Sequence, residues 1–179
     1  MFHFWSRSPR RHHGWAAAVL VGILAGASVV PAVAAPIAAP IGFSLMCLKS
    51  PRECQGGGAS RVSATGDLMK TLRSINTRVN RAIRPRNDRG DVWSASAGAG
   101  DCEDYVLAKR RALIRTGVPS SALRIAYVRT KSGVDHAVLV VRTNNKDMVL
   151  DNLTSAIKPL SQTGYRVMSV SSANPMKWS

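Results

Sequence analysis

Gly100-Asp101-Cys102-Glu103-Asp104-Tyr105 opens a stretch whose apolar residues return at helical spacing. Cys102, Val106 and Leu113 fall on one face, with Tyr105 and Ala112 beside them, and Gly117-Val118-Pro119 supplies a C-terminal stop. The pattern predicts a helix from Asp101 to about Thr116 that begins at a cysteine crowded by three carboxylates. Upstream, Leu68, Leu72, Ile75, Val79 and Ile83 mark a second amphipathic helix between about Ser63 and Arg84, halted by Pro85. Arg86 to Gly100 reads as a polar loop running into Cys102.

Downstream, the period changes. Leu123 to Thr130 alternates, and Lys131-Ser132-Gly133 makes a turn. His136 to Arg142 is a continuous apolar run of the kind buried in a sheet. Thr143-Asn144-Asn145-Lys146-Asp147 is a hairpin turn, Met148 to Asp151 pairs back, and Tyr165 to Val170 is a further strand. Helices followed by a meander make an α+β domain, with helices packed on an antiparallel sheet.

In an antiparallel hairpin the start of one strand lies beside the end of its partner. His136 and Asp151 occupy those places around the Asn144-Asn145 turn, so Asp151 can orient the imidazole. Cys102 at a helix start meets unpaired backbone N–H groups and a partial positive charge, both of which favour a thiolate. An adjacent imidazole would hold its proton, and the same amides could stabilise an oxyanion. The residues therefore point to Cys102 as nucleophile, His136 as base and Asp151 as orienting partner. Taken singly, each has a plainer reading: a buried thiol, a strand-edge histidine, a turn-forming aspartate.

The acids need a separate account. Asp101 is placed to be the helix N-cap, and Glu103 and Asp104 are favoured in a first turn. Each also opposes a thiolate by like charge. A bound cation would remove that conflict, and clustered hard oxygens suit calcium, with Asp101, Glu103 and Asp104 as its ligands.

The chain begins basic and free of acids, continues through an apolar run from Trp15 to Val30, and reaches Ala32-Val33-Ala34. This reads as a secretory signal peptide over 1–34, cut after Ala34, with an uncleaved membrane anchor as the alternative. The remaining 145 residues hold one domain: 35–59 as a linker carrying a small cysteine loop, and 60–179 as the domain proper. Losing Arg7, Arg10 and Arg11 leaves 22 basic residues against 10 acidic, about +12. Such a charge often marks nucleic-acid binding, but an exported chain meets little of it; anionic surface polymers or an acidic protein substrate fit better. In an oxidising compartment Cys47 and Cys54 are close enough to pair, leaving Cys102 as the odd thiol. His136 is the only histidine beyond the leader.

Gly100-Asp-Cys-Glu-Asp-Tyr, Lys109-Arg-Arg-Ala-Leu, Gly117-Val-Pro, His136-Ala-Val-Leu-Val-Val-Arg and Val149-Leu-Asp-Asn together resemble the bacterial transglutaminase-like cysteine proteinases. The resemblance reaches back through Val79-Asn80, Ile83 and the Cys47/Cys54 segment, and on to Gly164-Tyr165. It implies a papain- or transglutaminase-like core, a Cys102/His136/Asp151 triad, and calcium dependence through Asp101 and Glu103, with Asp104 as a third ligand. It further implies a periplasmic peptidase acting on an envelope protein such as a surface adhesin. Membrane contact would come only through an uncleaved leader or a receptor, no cofactor beyond calcium is expected, and oligomeric state is left open. Two other readings share the fold: an acyltransferase that passes the acyl group to an amine, and a non-catalytic anion-binding module. The intact triad argues against the last.

Overall fold

The computed structural model describes residues 37–95 and 98–179, so the leader read over 1–34 lies outside the described residues. Among the described residues three α-helices, α1 (Ile41–Lys49), α2 (Gly66–Ala82) and α3 (Cys102–Arg115), precede the main sheet. Among the described residues no helix is long and apolar enough to cross a membrane.

α2 starts where Thr65 caps it by accepting from Leu68 N–H at 3.1 Å, and it ends before the Arg84-Pro85 pair. Its buried residues, Leu72, Ile75, Asn76 and Val79, form the stripe that the spacing marks. α3 buries more than its apolar positions. Lys109 and Arg110 are also fully enclosed. Arg110 is accounted for by the Glu53 and Gln55 carbonyls, to which its guanidinium donates at 2.5 and 3.1 Å. Arg111 adds an ion pair with Glu53 at 2.8 Å, so α3 ties down the chain around Cys54.

The sheet contains β3 (Leu123–Arg129), β4 (Asp135–Val141), β5 (Met148–Leu150), β6 (Lys158–Pro159) and β7 (Arg166–Val170), in the order β6-β5-β4-β3-β7, every pair antiparallel. The chain meanders from β3 to β6, then β7 returns to the far edge of β3, with a register shift at Tyr127/Val128. Alternation along the strands divides the core in two. Ile125, Leu139 and Leu150 face the helices, and Ala126, Val128, Val138, Val140 and Val149 form a second cluster with Leu160, Tyr165 and Val170.

The described parts of the loop before Cys102 are held at its two ends and in its middle. β1 (Arg84–Pro85) and β2 (Ala99–Gly100) pair in parallel, bringing the two ends of the loop together beside the start of α3. Asp91 pins the middle: its carboxylate accepts from Gly42 N–H and from the Trp93 indole, each at 2.6 Å.

The segment carrying Cys47 and Cys54 packs into the core through Phe43, Met46 and both cysteines. α1 buries Phe43, which stacks edge-on with Trp93 and Trp178 at 5.2 and 6.0 Å. Cys47 and Cys54 form a disulfide across 5.6 Å between Cα atoms, joining α1 to a 3-10 turn (Pro51–Cys54). Replacing both by serine should cost about 2.5 kcal/mol, the chain-entropy value for so short a loop. Denaturant titration of the oxidised protein and the double variant measures the difference, and equal midpoints would show that Phe43 alone holds α1.

Candidate active site

β4 carries His136 into the sheet at 5% exposure. Its Nε2 lies 2.8 Å from Asp151 Oδ1. The register Leu139↔Leu150 sets Asp151, just past the end of β5, beside Val138. The two side chains therefore meet as diagonal neighbours rather than directly opposite ones, because His136 lies two positions beyond Val138, the residue that faces Asp151.

Asp151 is itself almost fully buried and accepts three hydrogen bonds. Oδ1 takes His136 and the Leu153 N–H at 2.9 Å, while Oδ2 takes the Tyr165 hydroxyl at 2.6 Å. Burial alone would raise its pKa, but these donors outweigh burial and hold it below the ordinary carboxylate value. Nearby, Asn80 donates to the Asp151 and Thr154 carbonyls at 2.9 and 3.3 Å, so α2 supports the turn that follows Asp151. Facing a carboxylate, Nε2 is the ring nitrogen that donates, which leaves Nδ1 as the nitrogen free for another partner.

Cys102 is the first residue of α3 and is half-buried. β5 pairs with β4 only from Leu139 onward, leaving the His136 end of β4 open on that side. There the thiol sulfur accepts from the N–H of Ala137, the residue next to His136. The same thiol donates to Glu103 Oε2 at 2.8 Å. Burial first, then the Glu103 hydrogen bond and charge, push the Cys102 pKa up to about 12. The like-charge conflict expected at this helix start is thus present, though it ranks behind burial.

The three acids divide. Asp101 occupies the N-cap position but its side chain makes no cap hydrogen bond. Instead Oδ2 reaches Asp88 N–H at 3.5 Å, and the carboxyl meets that of Glu103. The cap is supplied from the third helical position. Asp104 folds back to accept from the Asp101 N–H, and its Oδ1 takes the Ser94 N–H at 2.7 Å. Gly100 makes room for this, since a Cβ there would sit 1.8 Å from Asp104 Oδ2. Burial raises both Glu103 and Asp104.

Among the described residues no three His, Cys, Asp or Glu side chains converge as a ready cation cage. Asp101 nevertheless keeps one buried oxygen, Oδ1, without a hydrogen-bond partner, against the Glu103 carboxyl. Two adjoining carboxyls with an unspent buried oxygen fit a hard divalent cation. Asp104, already committed to two backbone N–H groups, fits less directly.

Sequence reasoning did not single out Tyr165 as a site residue, nor Asn80. Lys109 is a third residue of this kind. Its ammonium has no hydrogen-bond partner among the described residues, lies 5.6 Å over the Tyr105 ring, and is lowered by burial to about 7 against the opposing charge of Asp151.

The family model of the bacterial transglutaminase-like cysteine proteinases (BTLCP) matches 33–179 of the chain. None of the curated proteins matches in sequence. Among solved structures, calcium-bound Legionella pneumophila LapG is 27% identical, with a TM-score of 0.54 over 57% of this chain and 64% of that one. Legionella pneumophila LapG itself is 28% identical at a TM-score of 0.54, covering 59% of this chain and 64% of that one. The EGTA-treated form is 28% identical at 0.53, covering 57% and 62%. The chain thus spans somewhat less than two thirds of the LapG structures it matches. Its mixed architecture of helices on an antiparallel sheet is similar to theirs.

Proposed function

Since this chain belongs to the bacterial transglutaminase-like cysteine proteinase family, we propose that it hydrolyses peptide bonds in an envelope or surface protein, with Cys102, His136 and Asp151 as its triad. The observation that carries this reading is the His136–Asp151 pair at 2.8 Å, held at the open end of β4 where Cys102 meets Ala137 N–H. Asp151 fixes the ring with Nε2 protonated, which leaves Nδ1 to take the thiol proton. The thiolate attacks the scissile carbonyl, the imidazolium returns the proton to the leaving amine, and water then releases the acyl-enzyme. Backbone N–H groups at the start of α3 would receive the oxyanion.

Calcium belongs to this reading as the partner of Asp101 and Glu103, and Asp104 supports them by holding the Asp101 peptide. Bound there, it would supply positive charge that offsets the carboxylates opposing the thiolate. The calcium-bound relative supports the assignment, as does the unspent Asp101 oxygen.

The substrate is an acidic segment of a surface protein, a large adhesin being the family's implied case, met in the periplasm after export. Arg73, Arg78 and Arg81 line a shallow groove on the exposed face of α2, which supports an anionic partner.

Thiol labelling tests the core of the proposal. With calcium present, iodoacetamide should modify Cys102 well below the free-thiol value of about 8.5, and His136→Ala should abolish that advantage. Labelling that titrates like an ordinary cysteine in both proteins would sink the activated thiol.

A further inference from the structure

Tyr165 is the outer member of the buried group around Asp151, and the chain is built to put it there. The 3-10 turn Leu160–Gln162 leads to Thr163, whose hydroxyl donates to Leu160 O at 2.8 Å and accepts the Tyr165 N–H at 3.1 Å. Gly164 makes the reversal with φ +73°, a backbone conformation that side chains disfavour, and a Cβ there would meet Lys131 Cε at 2.0 Å. The Tyr165 ring then packs against the valine cluster on the sheet face away from the helices. It stands edge-on to the His136 imidazole, with centroids 6.0 Å apart and planes at 80°. Its hydroxyl gives Asp151 Oδ2 a bond of 2.6 Å, the shortest of the three that the carboxylate accepts.

We infer that Tyr165 is a positioning residue for the His136–Asp151 pair, extending the triad to a fourth side chain; this rests on the proposed peptidase reading. A carboxylate has two oxygens and a free torsion about its bond to Cβ. Leu153 N–H and His136 share Oδ1, and with those alone the group can rock. The hydroxyl on Oδ2 fixes the carboxylate plane, and with it the direction in which Nε2 is held and Nδ1 points. The edge-on ring walls off one side of the imidazole. The hydroxyl also takes up part of the carboxylate's charge, leaving less of it to stabilise an imidazolium. Among the described residues Asp151 and Tyr165 face the ring, Lys109 of α3 acts on Asp151 through its charge, and Cys102 reaches the adjacent peptide from α3.

Tyr165→Phe keeps the ring and removes only the hydroxyl. Two measurements on the full-length protein with calcium decide the matter. In nitrogen-15 spectra of histidine-labelled protein, with His136 assigned by its loss in His136→Gln, the ring titration should move to higher pH in the variant. Turnover of an internally quenched mixed-sequence peptide pool should fall roughly tenfold, in kcat rather than KM, as for one lost hydrogen bond to a charged group. Gly164→Ala, which displaces Tyr165 by its backbone, should shift the titration the same way. A purely structural tyrosine would lower the melting temperature and leave the ring titration unchanged, and that result overturns the inference. If the wild type fails to turn over the pool, the peptidase reading fails, while the His136 titration still decides whether Tyr165 acts on the ring.

Discussion

Asp151→Asn should leave the fold intact and remove nearly all turnover, on the order of 10⁴-fold, the scale for losing a triad carboxylate. The site presents Asp151 with three donors: the His136 Nε2–H, the Leu153 N–H and the Tyr165 hydroxyl. A carboxylate accepts all three, whereas an amide has one accepting oxygen and one NH₂. If the NH₂ faces His136, Nε2 must become the acceptor and the proton moves to Nδ1, the nitrogen needed as the base. If it faces Tyr165, the tyrosine must turn its hydroxyl, and the imidazolium still loses its counter-charge. Both arrangements disable the ring without changing volume. Turnover of the peptide pool and the Cys102 labelling profile report the loss, and activity within a few-fold of wild type would mean another residue orients His136. Stability carries its own signature. The folded pKa of Asp151 is depressed, so its contribution is complete above the unfolded value of about 3.9. That contribution is lost as pH falls through the folded value. The difference in melting temperature between wild type and variant should therefore shrink in acid.

The parts of this molecule legible in its sequence are those in which one period governs a whole element. Leu68 to Ile83 and Cys102 to Leu113 repeat at helical spacing; α2 starts three residues after the expected Ser63 and ends two before Arg84, and α3 lies within one residue of Asp101 and Thr116 at either end. The apolar run from His136 is β4, and the Thr143–Asp147 turn returns the chain to β5. The His136–Asp151 contact follows from counting along that hairpin, although its diagonal character needed the register. α1 was hidden because it has only nine residues and is short of polar ones, so no stripe stands out; its burial comes from Phe43 meeting Trp93 and Trp178 across the chain. The pairing of β1 with β2 was invisible for a related reason, since two-residue strands carry no alternation. β7 reads as a strand, but nothing in Arg166–Val170 says that it pairs with β3 and not with β6. At the site, residue type alone misassigned the cap. Asp101 has the right identity and position, yet Asp104 reaches the Asp101 peptide because Gly100 leaves space for its carboxylate. Asp101 keeps one buried oxygen, Oδ1, for another partner. Removing its side chain should then cost the helix little as a cap.

Calcium added to chelator-treated protein should raise the rate of Cys102 alkylation at pH 7 by roughly a hundredfold, two pKa units in the thiolate population. The thiol stands at about 12 for three reasons acting together: burial, the Glu103 hydrogen bond and the nearby negative charges. Burial is the largest and remains when a cation binds, so the cation recovers only part of the shift, and proton transfer to His136 supplies the rest of the activation. The two Glu103 contributions and that of Asp101 are the ones a cation between these carboxyls removes. Magnesium should substitute poorly, because it is smaller and gives up its water reluctantly. A paired substitution separates charge neutralisation from any other effect of the ion. Asp101→Asn with Glu103→Gln keeps the shapes and deletes the charges, so Cys102 should label quickly with or without calcium, and calorimetry should detect no binding. If the acids serve only the helix, the double variant will label as slowly as chelated wild type and calcium will change neither protein. That outcome would leave the elevated thiol to be explained by burial alone, and would remove the cation from the site.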